Sequence, residues 1–193
     1  MIQFDLPVYL ASKSPRRKKF LSQLNFPFRT IEVHVEEKIN NGEKPIAAVK
    51  RLALEKMEAA KRHVKKGIII TADTIVVLNN EIIGKPRDEK DAKNILKKLS
   101  GNTHAVYTGF AVHSTKKDLT IVDYQKTLVT FKKLNNEEIE HYIKSGSPMD
   151  KAGAYGIQDD FGAVFVKKIN GCYYNVVGLP LPKLYLALLR LAD

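Results

Sequence analysis

"GIIITADTIVVL", residues 67–78, is the stretch on which the fold turns. It is apolar and β-branched on both faces, which predicts a central strand covered on each side. One acid, Asp73, interrupts it, with Thr71 and Thr74 close by. An ionised carboxylate inside a buried strand is costly unless it meets a metal, a cation or hydrogen-bond donors. Asp73 is therefore the first candidate for chemistry, as a metal ligand or a general base. A structural salt bridge is the plain alternative.

Upstream of this strand, "VYLAS" (8–12) reads as a short buried strand and "PRRKKFLSQLNF" (15–26) as a helix with Phe20, Leu21 and Leu24 on its inner face. Ser14 suits the N-cap and Pro15 the first helical position. "FRTIEVHV" (28–35) alternates like a strand, and "IAAVKRLALEKMEAAKRHV" (46–64) is the clearest helix, with Ala48, Leu52 and Met57 apolar. Downstream, Asp88 caps a helix over "EKDAKNILKKL" (89–99) that Ser100-Gly101 stops. "HAVYTGFAVHS" (104–114) and "LTIVDYQKTLVTF" (119–131), joined by "TKKD", predict an antiparallel pair. "NNEEIEHYIKSG" (135–146) reads as a capped helix, "GAVFVKKING" (162–171) as a strand and "LPKLYLALLRL" (181–191) as a closing amphipathic helix. Alternating strands and helices, without repeats or a long linker, predict an α/β fold built on a mixed, twisted sheet flanked by helices.

Composition narrows the partners. With 193 residues, 44% of them hydrophobic, the chain can bury a core as one domain or two small lobes. Cys172 is the single cysteine, so no intrachain disulfide can form and a reducing cytoplasm is expected. "MIQFDLPVYL" has no cationic leader, and no apolar run approaches the roughly 20 residues that cross a bilayer. The net charge is +11, and it is uneven: 21 Lys/Arg against 12 Asp/Glu in residues 1–100 (+9), 11 against 9 in the remainder (+2). A basic surface attracts nucleic acid, acidic membranes or a polyanionic small molecule, or simply keeps the protein in solution.

The densest charge lies in "LASKSPRRKKFL" (10–21), where Arg16, Arg17, Lys18 and Lys19 follow a helix cap. A helix start already carries partial positive charge and unpaired N–H groups, so these cations oppose the local dipole preference. A bound phosphate would reverse the sign of that opposition; arginines that fan into water are the alternative. Lys85, in the tight loop Gly84-Lys85-Pro86, suits a phosphate as a point charge or is a solvated loop lysine. Glu37 could share a divalent cation with Asp73, since hard cations prefer oxygen ligands. "DKAGAYGIQDDFGAVF" (150–165) sets small residues around Tyr155 and Gln158, where a planar ligand could approach and a Gln amide could read a base edge; an ordinary glycine-rich turn is the other reading. The five histidines show no metal spacing, and neither a Ser-His-Asp arrangement nor a GxxxxGK[ST] loop is present.

Taken in order, "LASKSPRRKKFL", "TADTIVV", "GKPRDEKDAKNILKKLSGNTHAVYTGFAV", "KAGAYGIQ" and "INGCYYNVVGLPL" resemble the Maf family of nucleoside triphosphate pyrophosphatases, from about residue 8 to the end of the chain. The resemblance implies a Maf/inosine triphosphatase-like fold, elongated with a central cleft, over residues 1–193. It implies hydrolysis between the α- and β-phosphates with a divalent metal cation, Mg2+ or Mn2+. By position, Asp73 matches the catalytic acid that activates water, and Ser12, Arg16, Arg17, Lys56 and Lys85 match substrate-binding positions. Glu37 likewise matches a charged pocket position, and Glu37 with Asp73 is expected to hold the metal. The branch acting on dTTP and UTP is marked by Arg16, Thr74 and Gln158. Two departures stand out: Lys13 where glycine is common, and Asp159-Asp160 where the family is neutral. The resemblance also implies a homodimer. Competing readings are a pyrophosphatase for 7-methyl-GTP or another non-standard nucleotide, and a nucleic-acid-binding or division-regulating (septum inhibition) module. The last lacks the aromatics expected among the cations of a strand-binding surface.

Overall fold

The structure, a computed structural model, describes residues 3–158 and 161–192; Asp159 and Asp160 lie outside the described residues. The stretch 67–78 forms β3 (Ile68–Leu78), and every residue of it but Thr74 is buried. It lies between β1 (Val8–Ala11) and β5 (Thr103–Ser114) in a seven-stranded sheet ordered β2-β1-β3-β5-β6-β7, with β4 (Glu81–Ile83) also paired to β3. Here β2 is Phe28–Ile31, β6 is Leu119–Phe131 and β7 is Val166–Asn170. β1 pairs in parallel with β2 and β3, whereas β3–β4 and β6–β7 are antiparallel, so the sheet is mixed. Parallel pairs need crossovers, and helices α1 (Pro15–Ser22) and α2 (Pro45–Lys61) provide them. The remaining helices are α3 (Glu89–Leu99), α4 (Asn136–Lys144), α5 (Tyr173–Val177) and α6 (Leu181–Ala192). No helix among the described residues is long and apolar enough to cross a membrane.

Two compact units divide the chain. The first comprises the chain up to Asp73, Thr108–Gln125 and the stretch from Gly178 onward; the second comprises Thr74–Tyr107 and Lys126–Val177. In the first, α2 lays Ala53, Met57 and Ala60 on Ala11, Ile69 and Ala111 of the sheet. Thr71 Oγ1 donates to Ala53 O at 2.7 Å, so the face of β3 that carries residues 71 and 73 looks at α2. In the second, α3 and α4 close over Val76, Val106 and Phe131. α4 carries a full capping box: Glu138 N donates to Asn135 Oδ1 while Glu138 Oε2 accepts from Asn135 N.

Four expectations shift, each where a partner decides an element's extent. The strand expected over 28–35 stops at Ile31, because β1 offers only four partners, Val8 to Ala11. The first helix ends at Ser22, not Phe26: i→i−3 bonds tighten its last turn and Asn25 takes a left-handed φ of 55°. Residues 162–165, the start of the strand expected over 162–171, instead belong to a 3-10 turn (Phe161–Phe165) leading into β7. β4 was not expected; it returns from β3 through Asn79 and Asn80, both at positive φ (49° and 65°), the conformation a two-residue hairpin needs.

His104 in the second unit gives one prediction. Its ring is buried, Nε2 pairs with Tyr155 Oη at 2.8 Å, and Nδ1 has no partner among the described residues. Burial holds its pKa down to about 4. The unfolded chain takes up this proton near pH 6.5 and the folded protein does not, so the stabilisation is complete above that pH and is lost as pH falls toward 4. Unfolding free energy should drop over that window by about 3 kcal/mol. Urea titrations from pH 7 to 4 should show the step in the wild type, and its loss in His104→Gln.

Candidate active site

The first unit gathers six of the residues singled out in the sequence: Ser12, Arg16, Arg17, Glu37, Lys56 and Asp73. α1 begins at Ser14, whose Oγ accepts from Arg17 N at 3.3 Å, with Pro15 at the first helical position. No acid occupies its first turn, so the dipole and the arginines both present positive charge. Arg17 folds back across this start. Its Nη1 donates to Ser12 Oγ at 3.4 Å and its Nε to Gly178 O at 2.8 Å. Ser12 Oγ also accepts from Ser14 N at 3.2 Å, which ties the β1–α1 turn to the same guanidinium. Gly178 has a φ of 114°, a left-handed value that favours glycine. Its carbonyl is a contact the sequence reading missed, and the only trace of it there is the glycine in "VVGLPL". Arg16 is half-buried on the same helix start.

Opposite charge meets this cluster. Asp73 is 4% exposed, and its Oδ1 lies 2.5 Å from Lys56 Nζ on α2. The same ammonium reaches Glu37 Oε1 at 2.7 Å, so one lysine joins two carboxylates that are 36 positions apart in sequence. The expected role of Lys56 was phosphate binding; in this structure its ammonium is shared by the two acids. Burial lowers the pKa of the Arg17 guanidinium, the Asp73 and Glu37 charges oppose that shift, and Arg16 adds to it. Arg17 is therefore within electrostatic reach of both acids. Asp73 and Glu37 balance Lys56 and Arg17 formally, and Arg16 adds one positive charge beside them. A polyanion entering it would require further positive charge.

The divalent cation implied by the resemblance fits this donor set. Among the described residues no group of three or more His, Cys, Asp or Glu side chains could hold a metal by itself. Glu37 and Asp73 nonetheless offer two carboxylates on one ammonium. Mg2+ is commonly held by one or two carboxylates, with water and substrate phosphate completing its shell.

The other expected residues belong to the second unit. Alternation along β3 turns Thr74, half-buried, to the face away from α2 and therefore away from Asp73. Lys85 is exposed in the loop between β4 and α3, and that loop is tied down where Gly84 O accepts from Gly153 N at 3.0 Å. Gln158 is half-buried, and its Oε1 is buried without a hydrogen-bond partner among the described residues. A buried orphan acceptor of this kind is expensive unless a ligand satisfies it.

The family profile described as "Maf-like protein" matches residues 7–191. The chain is 52% identical over 178 residues to a protein of Aquifex aeolicus named dTTP/UTP pyrophosphatase, with 92% of each chain covered. Proteins of the same name from Alkaliphilus metalliredigens and Dictyoglomus thermophilum are 52% and 48% identical, covering 91% and 95% of each chain. Among solved structures, a HAM1 protein from Coxiella burnetii superposes with a TM-score of 0.54 at 14% identity, over 96% of this chain and 99% of that one. At that identity the likeness bears on the fold alone.

Proposed function

This chain belongs to the Maf-like family, and from that premise we propose that it is a nucleoside triphosphate pyrophosphatase acting on dTTP and UTP in the cytoplasm. The observation that carries the reading is the pairing of Asp73 and Glu37 on Lys56 beside an arginine-led helix start. In the reaction a water gives its proton to Asp73 and adds to phosphorus. The oxygen bridging the α- and β-phosphates leaves with pyrophosphate, and the nucleoside monophosphate remains. Arg17, fixed through Ser12 and Gly178, presents its guanidinium without reorganisation to the charge that builds on the phosphates. Arg16, on the same helix start, adds positive charge to this group, and Lys85 is the phosphate contact proposed from the second unit. Glu37 and Asp73 would hold the divalent cation, which when bound offsets phosphate charge and polarises the bonds to phosphorus.

Gln158 supports the choice of base. Thymine and uracil carry a donor at N3, from which Oε1, without a partner among the described residues, would accept; cytosine carries an acceptor there and would leave that oxygen unsatisfied. Arg16 and Thr74 complete the proposed specificity set. Turnover of dTTP, UTP, CTP and 7-methyl-GTP, with pyrophosphate and orthophosphate measured separately, tests the proposal. Pyrophosphate release from dTTP and UTP well above CTP is expected. Preference for 7-methyl-GTP would overturn the base assignment, and orthophosphate as the product would overturn the cleavage position.

A further inference from the structure

Residues 32–44, between β2 and α2, form a loop of irregular structure that carries Glu37. Loops of this length without secondary structure are uncommon in compact proteins and need something to hold them. Glu37 is a poor anchor for it. Its side chain is 37% exposed, so solvent weakens the hold of its pairing with Lys56 on the loop.

A second contact between this loop and α2 is of another kind. Arg51 grips Glu43 with both arms of its fork, Nε to Oε1 at 2.7 Å and Nη2 to Oε2 at 2.6 Å. Nη2 also donates to Lys38 O at 2.9 Å, and Nη1 to Glu55 Oε1 at 2.8 Å on the helix itself. Planar two-point pairing of this sort fixes orientation as well as distance. The Glu43 carboxylate passes the restraint on, because Oε2 accepts from Asn40 N at 3.1 Å. Glu43 N in turn donates to Asn40 O at 3.1 Å, and Lys38 N to Glu36 O at 2.9 Å. Arg51 thus holds the loop at residue 38, immediately after Glu37, and again at residue 43. Its helix also supplies Lys56, five residues on, so the clamp and the ammonium that Glu37 meets share one rigid element.

We propose that Arg51 is the positioning residue for Glu37: by clamping Lys38 O and Glu43 to α2 it sets the Glu37 carboxylate on Lys56 beside Asp73. The inference rests on the reading of Glu37 and Asp73 as part of a pyrophosphatase site. A lysine at 51 keeps the charge but loses the fork, so Arg51→Lys is the informative variant, measured alone and combined with Glu37→Gln in the full-length protein. Alone it should lower kcat/KM for dTTP by about tenfold; with Glu37 already replaced it should cost less than about twofold, the non-additivity of residues acting through one another. Amide exchange over residues 36–43 should accelerate in Arg51→Lys while α2 stays protected. Equal losses in both backgrounds, or unchanged exchange of the loop, overturn the proposal. Should Glu37→Gln turn over too slowly to measure, the exchange result decides alone. Should Arg51→Lys fail to fold, Glu43→Gln, which weakens the anchor at residue 43 and leaves the one at Lys38 O, takes its place with the same expected pattern. A wild type inactive on every nucleotide would refute the pyrophosphatase reading while exchange still reports on the clamp.

Discussion

Asp73→Asn should lower the rate of pyrophosphate release from dTTP by about 10²–10⁴-fold, the usual contribution of a positioned base. Asn matches Asp in shape but cannot take a proton from water, so the loss should fall mainly on kcat. The groups proposed to hold the phosphates, Arg16, Arg17 and Lys85, are untouched, and KM should move much less. The fold should survive. Lys56 keeps Glu37 at 2.7 Å when Asp73 loses its charge, so its ammonium is not left alone in the protein. Asp73→Glu should not restore activity, because an added methylene has no room at a side chain only 4% exposed and already 2.5 Å from Lys56 Nζ. Steady-state kinetics with a thermal melt of each variant checks both points. A folded Asp73→Asn protein that hydrolyses dTTP at the wild-type rate would remove Asp73 from the mechanism.

What the sequence disclosed follows from how local each signal is. β3 was legible because both of its faces are buried, so nearly every residue carries the same instruction. The cap at Ser14 and the capped helix over 135–146 were legible because such caps close within four residues. Strand lengths were not, since β2 ends where β1 runs out of partners, a fact of the neighbour and not of "FRTIEVHV". β4 has its signal in Asn79-Asn80, two residues that tolerate the positive φ of a tight hairpin turn. At the site, Asp73 was legible because an acid in a buried strand contradicts its surroundings, and the arginines because they contradict the helix dipole. Lys56 and Arg51 contradict nothing: on α2 each reads as an ordinary cation on a helix. What they touch appears only in the folded chain, where β3 brings Asp73 to Lys56 and the 32–44 loop returns Glu37 to Lys56 and Lys38 to Arg51.

Gly109→Ala should be the most destabilising small change in the first unit, for reasons of space alone. Gly109 lies on β5, and a Cβ built there would stand 2.3 Å from Val49 O and 2.5 Å from Val49 C, with Val49 Cβ at 2.9 Å. Two of those atoms are helix backbone, which cannot rotate aside as a side-chain end can. α2 packs this closely because small residues, Ala48, Ala53 and Ala60, are fully buried along it. A methyl at 109 must therefore move the helix or bend the strand, and overpacking of this severity costs about 3 kcal/mol. For a chain of this size that corresponds to a melting temperature lower by roughly 6–12 °C. Activity should fall as well, because α2 carries Lys56 and Arg51, and a displaced helix carries the Glu37 and Asp73 pairings with it. Gly84→Ala is the matched control, since a Cβ there meets nothing within 4 Å. Its melting temperature should stay within about 2 °C of the wild type, as expected of a surface change. If Gly109→Ala melts with it, the close approach of α2 to β5 is wrong, and the placement of Lys56 against Asp73 loses its support.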